Sequence, residues 1–166
     1  MAAHKILILM GSDSDAEVMK AAKAELENLG VSVRMTVASA HRTPDRVRTI
    51  MHEAEAGGVQ VYIAGAGGAA HLAGTIAAHT TKPVIGVPIA SSELGTALDS
   101  LLSTVQMPPG IPVACVAVGK MGAKNAGILA AQMIALSDKE LANRIKEKRA
   151  AMSEEVIKKA KKVEEM

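Results

Sequence analysis

Three short stretches gather the side chains able to bind or move charge: Gly11-Ser12-Asp13-Ser14-Asp15, Ser39-Ala40-His41-Arg42-Thr43-Pro44 and Gly65-Ala66-Gly67-Gly68-Ala69-Ala70-His71. In the second, a histidine, the side chain that ordinarily titrates nearest neutral pH, stands beside a permanent cation. That pairing suits proton transfer on an anionic substrate, with His41 as candidate acid/base and Arg42 as the anion contact. In the first, Ser12 can donate a hydrogen bond and Asp15 can accept from sugar hydroxyls where the chain enters a helix and presents free N–H groups to a phosphate. Capping of that helix by Ser14 or Asp15 uses the same groups, and the two roles are compatible. The third stretch lets backbone amides approach a small or flat anionic group. It ends in His71, for which helix capping and core hydrogen bonding stand beside a place in the site.

The remaining candidates lead to bland readings. The spacing Gly65-x-Gly67-x-x-Ala70 matches a relaxed dinucleotide fingerprint, but it follows the third apolar run and lacks the acid expected downstream, so it is a false match. His4, His52 and His79 share no metal-ligand spacing, and no metal is expected. Cys115 lies in an apolar run with no cationic neighbour, which favours packing over nucleophilic chemistry. In the turn Gln106-Met107-Pro108-Pro109-Gly110, packing accounts for Met107; Asp99 has no assigned role.

These stretches need elements that bring them together. Apolar runs at 6–10, 31–38, 59–64, 84–87 and 113–118 are short, rich in branched residues and bounded by Gly, Pro or Ser, as buried strands are. Helical patterns at 16–29, 45–56, 71–79, 93–103 and 123–136 alternate with them, with Gly30 as a stop and Thr43-Pro44 as a start. Strict alternation predicts a parallel α/β sheet. In the flavodoxin-like order 2-1-3-4-5, the loops leaving strands one, two and three meet at the topological switch point. Ser137 and Asp138 then precede a charged helix over 139–165, whose Leu141, Ile145, Met152 and Val156 form a stripe that fits either its own subunit or a neighbour. The expectation is a single domain, 1–166, with an α/β core over about 5–136 and a C-terminal helical segment over 138–165.

Composition narrows the classes further. Apolar residues make up 49% of the 166 positions, yet Phe and Trp are absent and Tyr62 is the only aromatic, so the core must be built from Ala, Val, Ile, Leu and Met packed at short range. Small apolar surface in such amount also fits contact with other subunits. A formal net charge of +2 gives no electrostatic case for nucleic acid or an anionic membrane, and the lack of aromatics removes a base-stacking platform. A lone cysteine suits a reducing compartment. The run at 6–10 is too short for a signal peptide or a membrane span, so a cytoplasmic location is expected.

The three stretches, together with the continuation to Leu72 and Gln106-Met107-Pro108, closely resemble the class I 5-(carboxyamino)imidazole ribonucleotide mutases of the purine-pathway carboxylase family, over about residues 5–149. The resemblance implies a flavodoxin-like three-layer sandwich and a homo-octamer with active sites completed by neighbouring subunits. It also implies a small ribonucleotide substrate held by Ser12, Asp15, Ser39, Arg42 and Gly67. His41 would be the acid/base, and His71 with its glycine loop would line the carboxylate pocket. The labile N-carboxylate and electron-rich ring carbon of such a substrate require no cofactor. Ala73 and Ala97 depart from the Pro and Gly of many relatives, which touches the pocket edge rather than the reaction. Two alternatives remain: a class II carboxylase using free carbon dioxide, separated only by the third stretch, and a receiver-like phosphorylation module suggested by Asp13, Asp15 and Lys120. The receiver needs an Asp after strand three, where this chain has Gly65-Ala66-Gly67. A flavin carrier would need more aromatics than Tyr62.

Overall fold

A computed structural model describes residues 4–90 and 95–166. Five parallel strands, β1 (Ile6–Met10), β2 (Val33–Val37), β3 (Val61–Gly67), β4 (Val84–Ile89) and β5 (Ala114–Cys115), form one sheet in the order β2-β1-β3-β4-β5. The helices are α1 (Ala16–Asn28), α2 (Pro44–Ala56), α3 (Leu72–Ala77), α4 (Leu98–Val105), α5 (Gly119–Ala135) and α6 (Lys139–Glu164). This is the expected flavodoxin-like sandwich with its C-terminal helix.

Side chains alternate across each strand, and the two faces build separate cores. Ile6, Ile8, Met10, Ile63 and Ile85 pack under α1, α5 and the start of α6. Leu7, Leu9, Tyr62, Ala64 and Val84 pack on α2 and α3. Tyr62 is fully buried, but its hydroxyl reaches Glu55 at 2.9 Å, and Thr80 and Lys82 close on the same carboxylate at 2.7 and 3.0 Å. Burial, together with the neighbouring Glu55 carboxylate, pushes the phenol of Tyr62 well up. The only aromatic residue is thus pinned at the end of the sheet opposite the site.

Close packing depends on two glycines at the centre of the sheet. A Cβ on Gly65 would meet Met19 Sδ of α1 at 2.4 Å, and one on Gly86 would meet Thr104 Cγ2 of α4 at 2.3 Å. At Gly86 the short, branched Thr104 and Val113 leave no room for a side chain, and at Gly65 one would displace the Met19 side chain. The helix layers therefore sit closer to the sheet than larger strand residues would allow.

Some boundaries differ from the sequence reading, for local reasons. Strand β3 runs on through Gly65-Ala66-Gly67 because that segment keeps its register with β4, as far as Gly67 opposite Ile89. Strand β5 pairs only at Ala114 and Cys115, shorter than the run at 113–118 suggests. Past it, Ala117 takes φ 136°, and a Cβ on Gly122 would lie 2.2 Å from the Ala117 carbonyl, so the first turn of α5 is wedged against the departing strand. Gly119 and Gly122 belong to that turn, and α5 begins four residues earlier than expected. Helix α4 starts at Leu98, later than the sequence reading has it: Glu93 lies outside the described residues, but 95–97 are described and not helical, with Gly95 at φ 63° turning the chain before the helix.

The first half of α6 stays on its own subunit. Asp138 caps it through the Leu141 N–H at 3.0 Å and pairs with Lys5 at 3.3 Å. Arg144 donates to the Leu29 carbonyl at 2.9 Å, Lys148 pairs with Glu25, and Leu141 and Ile145 are buried. From residue 150 onward the helix is exposed on all sides, Met152, Val156, Ile157 and Val163 included. Among the described residues, no helix is long and apolar enough to cross a membrane.

Candidate active site

The carboxyl ends of β1, β2 and β3 lie side by side, so the three chemistry-bearing stretches border one cleft of about 530 Å³. All seven residues expected in the site, Ser12, Asp15, Ser39, His41, Arg42, Gly67 and His71, line it.

Each loop is held by its own polar groups. The first forms a single 3-10 turn over Asp13–Asp15 closed by a capping box: the Ser12 N–H donates to Asp15 Oδ2 at 3.1 Å, and Ser12 Oγ accepts from the Ser14 N–H at 3.4 Å. Ser12 Oγ also donates to Asp13 Oδ1 at 3.1 Å. The capping residue is thus Ser12, on the 3-10 turn, rather than Ser14 or Asp15 on α1: Asp15 reaches back to the Ser12 N–H, makes no side-chain cap to α1, and borders the cleft.

In the second loop, Ser39 and Thr43 close a ring around His41 and Arg42. The Ser39 N–H donates to Thr43 Oγ1 at 2.9 Å, the Thr43 N–H donates to the Ser39 carbonyl at 2.9 Å, and the Arg42 N–H donates to Ser39 Oγ at 3.2 Å. The Arg42 guanidinium reaches across to the Gly11 carbonyl at 2.9 Å, tying the second loop to the first. Its other N–H groups keep the fork geometry that suits a phosphate or carboxylate.

His41 and His71 meet between the second and third loops. His41 Nε2 lies 2.8 Å from His71 Nδ1, and the rings sit edge to face, 79° apart. One nitrogen must donate and the other accept, so the contact holds a single hydrogen between two lone pairs. Both rings are exposed to the cleft. A pair so arranged can give a proton to a substrate on one side and receive one in return.

Asp15 is the strained member of the group. Burial pushes its carboxyl above the ordinary range; the Ser12 N–H works against that, Asp13 adds to it, and Arg42 and the Gly11 N–H oppose it. Beyond the three loops, Ile89 and Ala90 at the end of β4 also line the cleft. The sequence reading missed them, although β4 follows β3 in the expected strand order and so had to deliver its carboxyl end to the same edge. Met107 packs where expected, its Sδ 3.3 Å from the place a Cβ on Gly74 would take. Cys115 is half-buried at the short β5. Among the described residues, no group of three or more His, Cys, Asp or Glu could hold a metal ion.

A family model described as AIR carboxylase matches residues 5–155. The N5-carboxyaminoimidazole ribonucleotide mutase of Thermotoga maritima is 51% identical over 162 residues, covering 98% of this chain and 93% of that protein. The enzyme of the same name from Escherichia coli K12 is 52% identical over 153 residues, covering 92% and 90%. The crystal structure of Treponema denticola PurE superposes with a TM-score of 0.83 at 30% identity, covering 95% of this chain and 96% of that one.

Because the folded state holds the Asp15 proton more tightly than the unfolded chain does, this group's contribution to stability is present below the ordinary carboxylate range and is lost as pH rises through the raised value. The urea stability of Asp15→Asn relative to the unsubstituted protein is therefore expected to rise as pH goes from about 3 to about 7, across and above the ordinary carboxylate range. A difference that stays constant over that interval would contradict the strained carboxylate.

Proposed function

The chain belongs to the AIR carboxylase family, and from that premise we propose that it interconverts N5-carboxyaminoimidazole ribonucleotide and its ring-carboxylated isomer in purine biosynthesis. The observation that carries this reading is the His41–His71 contact of 2.8 Å in the cleft that Ser12, Asp15, Ser39, Arg42 and Gly67 also line. Mutase rather than carboxylase chemistry is favoured because relatives at 51 and 52% identity over nearly the whole chain carry the mutase name. The receiver-like alternative lacks its acceptor, since β3 ends in Gly65-Ala66-Gly67.

The reaction needs little beyond placement. Breaking the N–C bond of the carbamate leaves the electron pair and one proton on nitrogen and frees carbon dioxide. The neighbouring ring carbon attacks it, forming the C–C bond, and then loses its own proton to recover aromaticity. One proton is delivered and one removed, so an isomerisation leaves the protein's protonation state unchanged. His41 performs both transfers, donating to the nitrogen and accepting from the ring carbon, with His71 as the hydrogen-bond partner that orients its ring. Arg42 and the Ser12 loop hold the ribonucleotide phosphate and sugar, with Ser39 fixing the turn from which Arg42 projects. Gly67 borders the carboxylate pocket, its lack of a side chain letting its backbone lie close to the Ile89 carbonyl. Holding carbon dioxide beside the ring makes its recapture effectively intramolecular.

The family resemblance is the reason to propose a homo-octamer with shared sites, and exposed apolar surface supports it. Both histidine rings are exposed in the single chain, and Leu98, Leu102, Met121 and Leu136 stand exposed on its surface. Neighbouring subunits are the cover that these apolar side chains fit. A cytoplasmic setting fits the lone half-buried Cys115.

His41→Asn is expected to lower kcat by roughly 100- to 10,000-fold, the usual range for losing a general acid/base, while substrate binding measured by calorimetry persists. Retained turnover would remove His41 from the reaction, and loss of binding together with turnover would make it a binding residue. Sedimentation equilibrium should give the mass of an octamer of the 17.1 kDa chain; a monomer at working concentration would contradict the shared-site reading.

A further inference from the structure

The segment that carries His71 is held in place by α4, a helix whose orientation is unusual. Helix α4 buries Ser100 and Thr104 and leaves Leu98 and Leu102 exposed at 59 and 49%. A helix oriented only by apolar burial would turn the other way. The inward hydroxyls have a specific use, because what they meet is backbone bordering the cleft.

The Ala70 N–H, on a residue 2% exposed and immediately before His71, donates to Ser103 Oγ at 3.1 Å. The Ser103 O–H has the Asp99 carbonyl at 2.9 Å as its nearest acceptor, with those of Ser100 and Gly68 at 3.2 and 3.5 Å. One turn earlier on the same face, the fully buried Ser100 donates to the Ile89 carbonyl at 2.9 Å. That carbonyl stands 3.1 Å from where a Cβ on Gly67 would be. The segment from Gly67 to Ala70 is therefore bracketed by α4, with Ser100 setting the carbonyl it lies against and Ser103 holding its last amide before the histidine.

We propose that Ser103 is a positioning residue for the reaction: by accepting from the Ala70 N–H it fixes the backbone from which His71 projects and so holds His71 Nδ1 in hydrogen-bond range of His41 Nε2. This rests on the mutase reading of the site. Without the hydroxyl, a buried N–H loses its partner and the loop must shift to find another. His71 is the next residue, and its contact with His41 weakens steeply with distance and angle. Phosphate and sugar contacts lie on the other two loops and are untouched.

The test compares Ser103→Ala with Ser103→Thr, which keeps the hydroxyl, and with Ser103→Cys, which keeps the shape with a much weaker acceptor and serves if the alanine variant folds poorly. The readouts are steady-state kinetics with the N-carboxylated ribonucleotide and NMR of the imidazole nitrogens of His41 and His71, which needs no turnover. Ser103→Ala and Ser103→Cys should lower kcat roughly 10- to 100-fold, as a misplacement of about an ångström does, with KM changed less than about threefold. They should also alter the ring-nitrogen signals of both histidines, while Ser103→Thr restores kcat and signals. Unaltered kcat and histidine signals in a folded Ser103→Ala or Ser103→Cys protein would overturn the proposal, as would loss of thermal stability alone. If the unsubstituted protein fails to convert the substrate, the mutase reading falls. The histidine signals then still decide whether Ser103 positions the pair.

Discussion

Helix layers can close on the carboxyl half of this sheet only because β3 and β4 carry glycine where α1 and α4 press against them. Met19 occupies the space a side chain on Gly65 would take, and Thr104 does the same above Gly86. A chain without Phe or Trp has no large side chains to prop the layers apart, so the fold gains its contact area by approach rather than by bulk. From that approach follows the site. With α1 seated on the sheet, its first turn and the Ser12 capping box stand at the mouth of the cleft. With α4 seated, its hydroxyls reach the backbone of the third loop.

The three loops are fixed mainly through backbone, which leaves much of their side-chain chemistry facing the cleft. Ser39 and Thr43 close the turn that presents His41, Arg42 crosses to the Gly11 carbonyl, and Asp15 secures the Ser12 N–H. The exception, among the described residues, is the direct side-chain contact of His41 with His71 between the second and third loops. A hydrogen bond of 2.8 Å holds the two rings in a fixed mutual orientation. Asp15 shows the accompanying cost: its carboxylate closes the Ser12 turn from a buried place, where ionisation is disfavoured.

Much of this was legible in the sequence because period and punctuation agree with the fold. Strand β1 falls where its apolar run does, α2 starts at the Pro after Thr43, strict alternation gives the parallel sheet, and its 2-1-3-4-5 order is the flavodoxin-like one that the family resemblance implied. The seven residues expected in the site lie on the loops that this order brings together, around one cleft. What escaped depends on tertiary contact. Nothing local tells that Gly67 is still paired to Ile89, that Gly122 is required by the Ala117 carbonyl, or that Ser100 and Ser103 face inward while Leu98 and Leu102 face out. The C-terminal helix divides in the same way: its stripe was visible, but that Leu141 and Ile145 pack at home while Met152 and Val156 stay exposed is settled by Arg144 and Lys148 reaching α1 and its C-terminal end.

The proposed mutase reaction requires carbon dioxide released in the cleft to be recaptured before it escapes. Supplying N5-carboxyaminoimidazole ribonucleotide labelled with carbon-13 in its carboxylate, in a buffer holding excess unlabelled bicarbonate, tests it directly by mass spectrometry of the ring-carboxylated product. Confinement predicts that the product keeps the label over a single turnover. Product carrying the isotope ratio of the buffer would mean that carbon dioxide enters from solution, and would contradict the account.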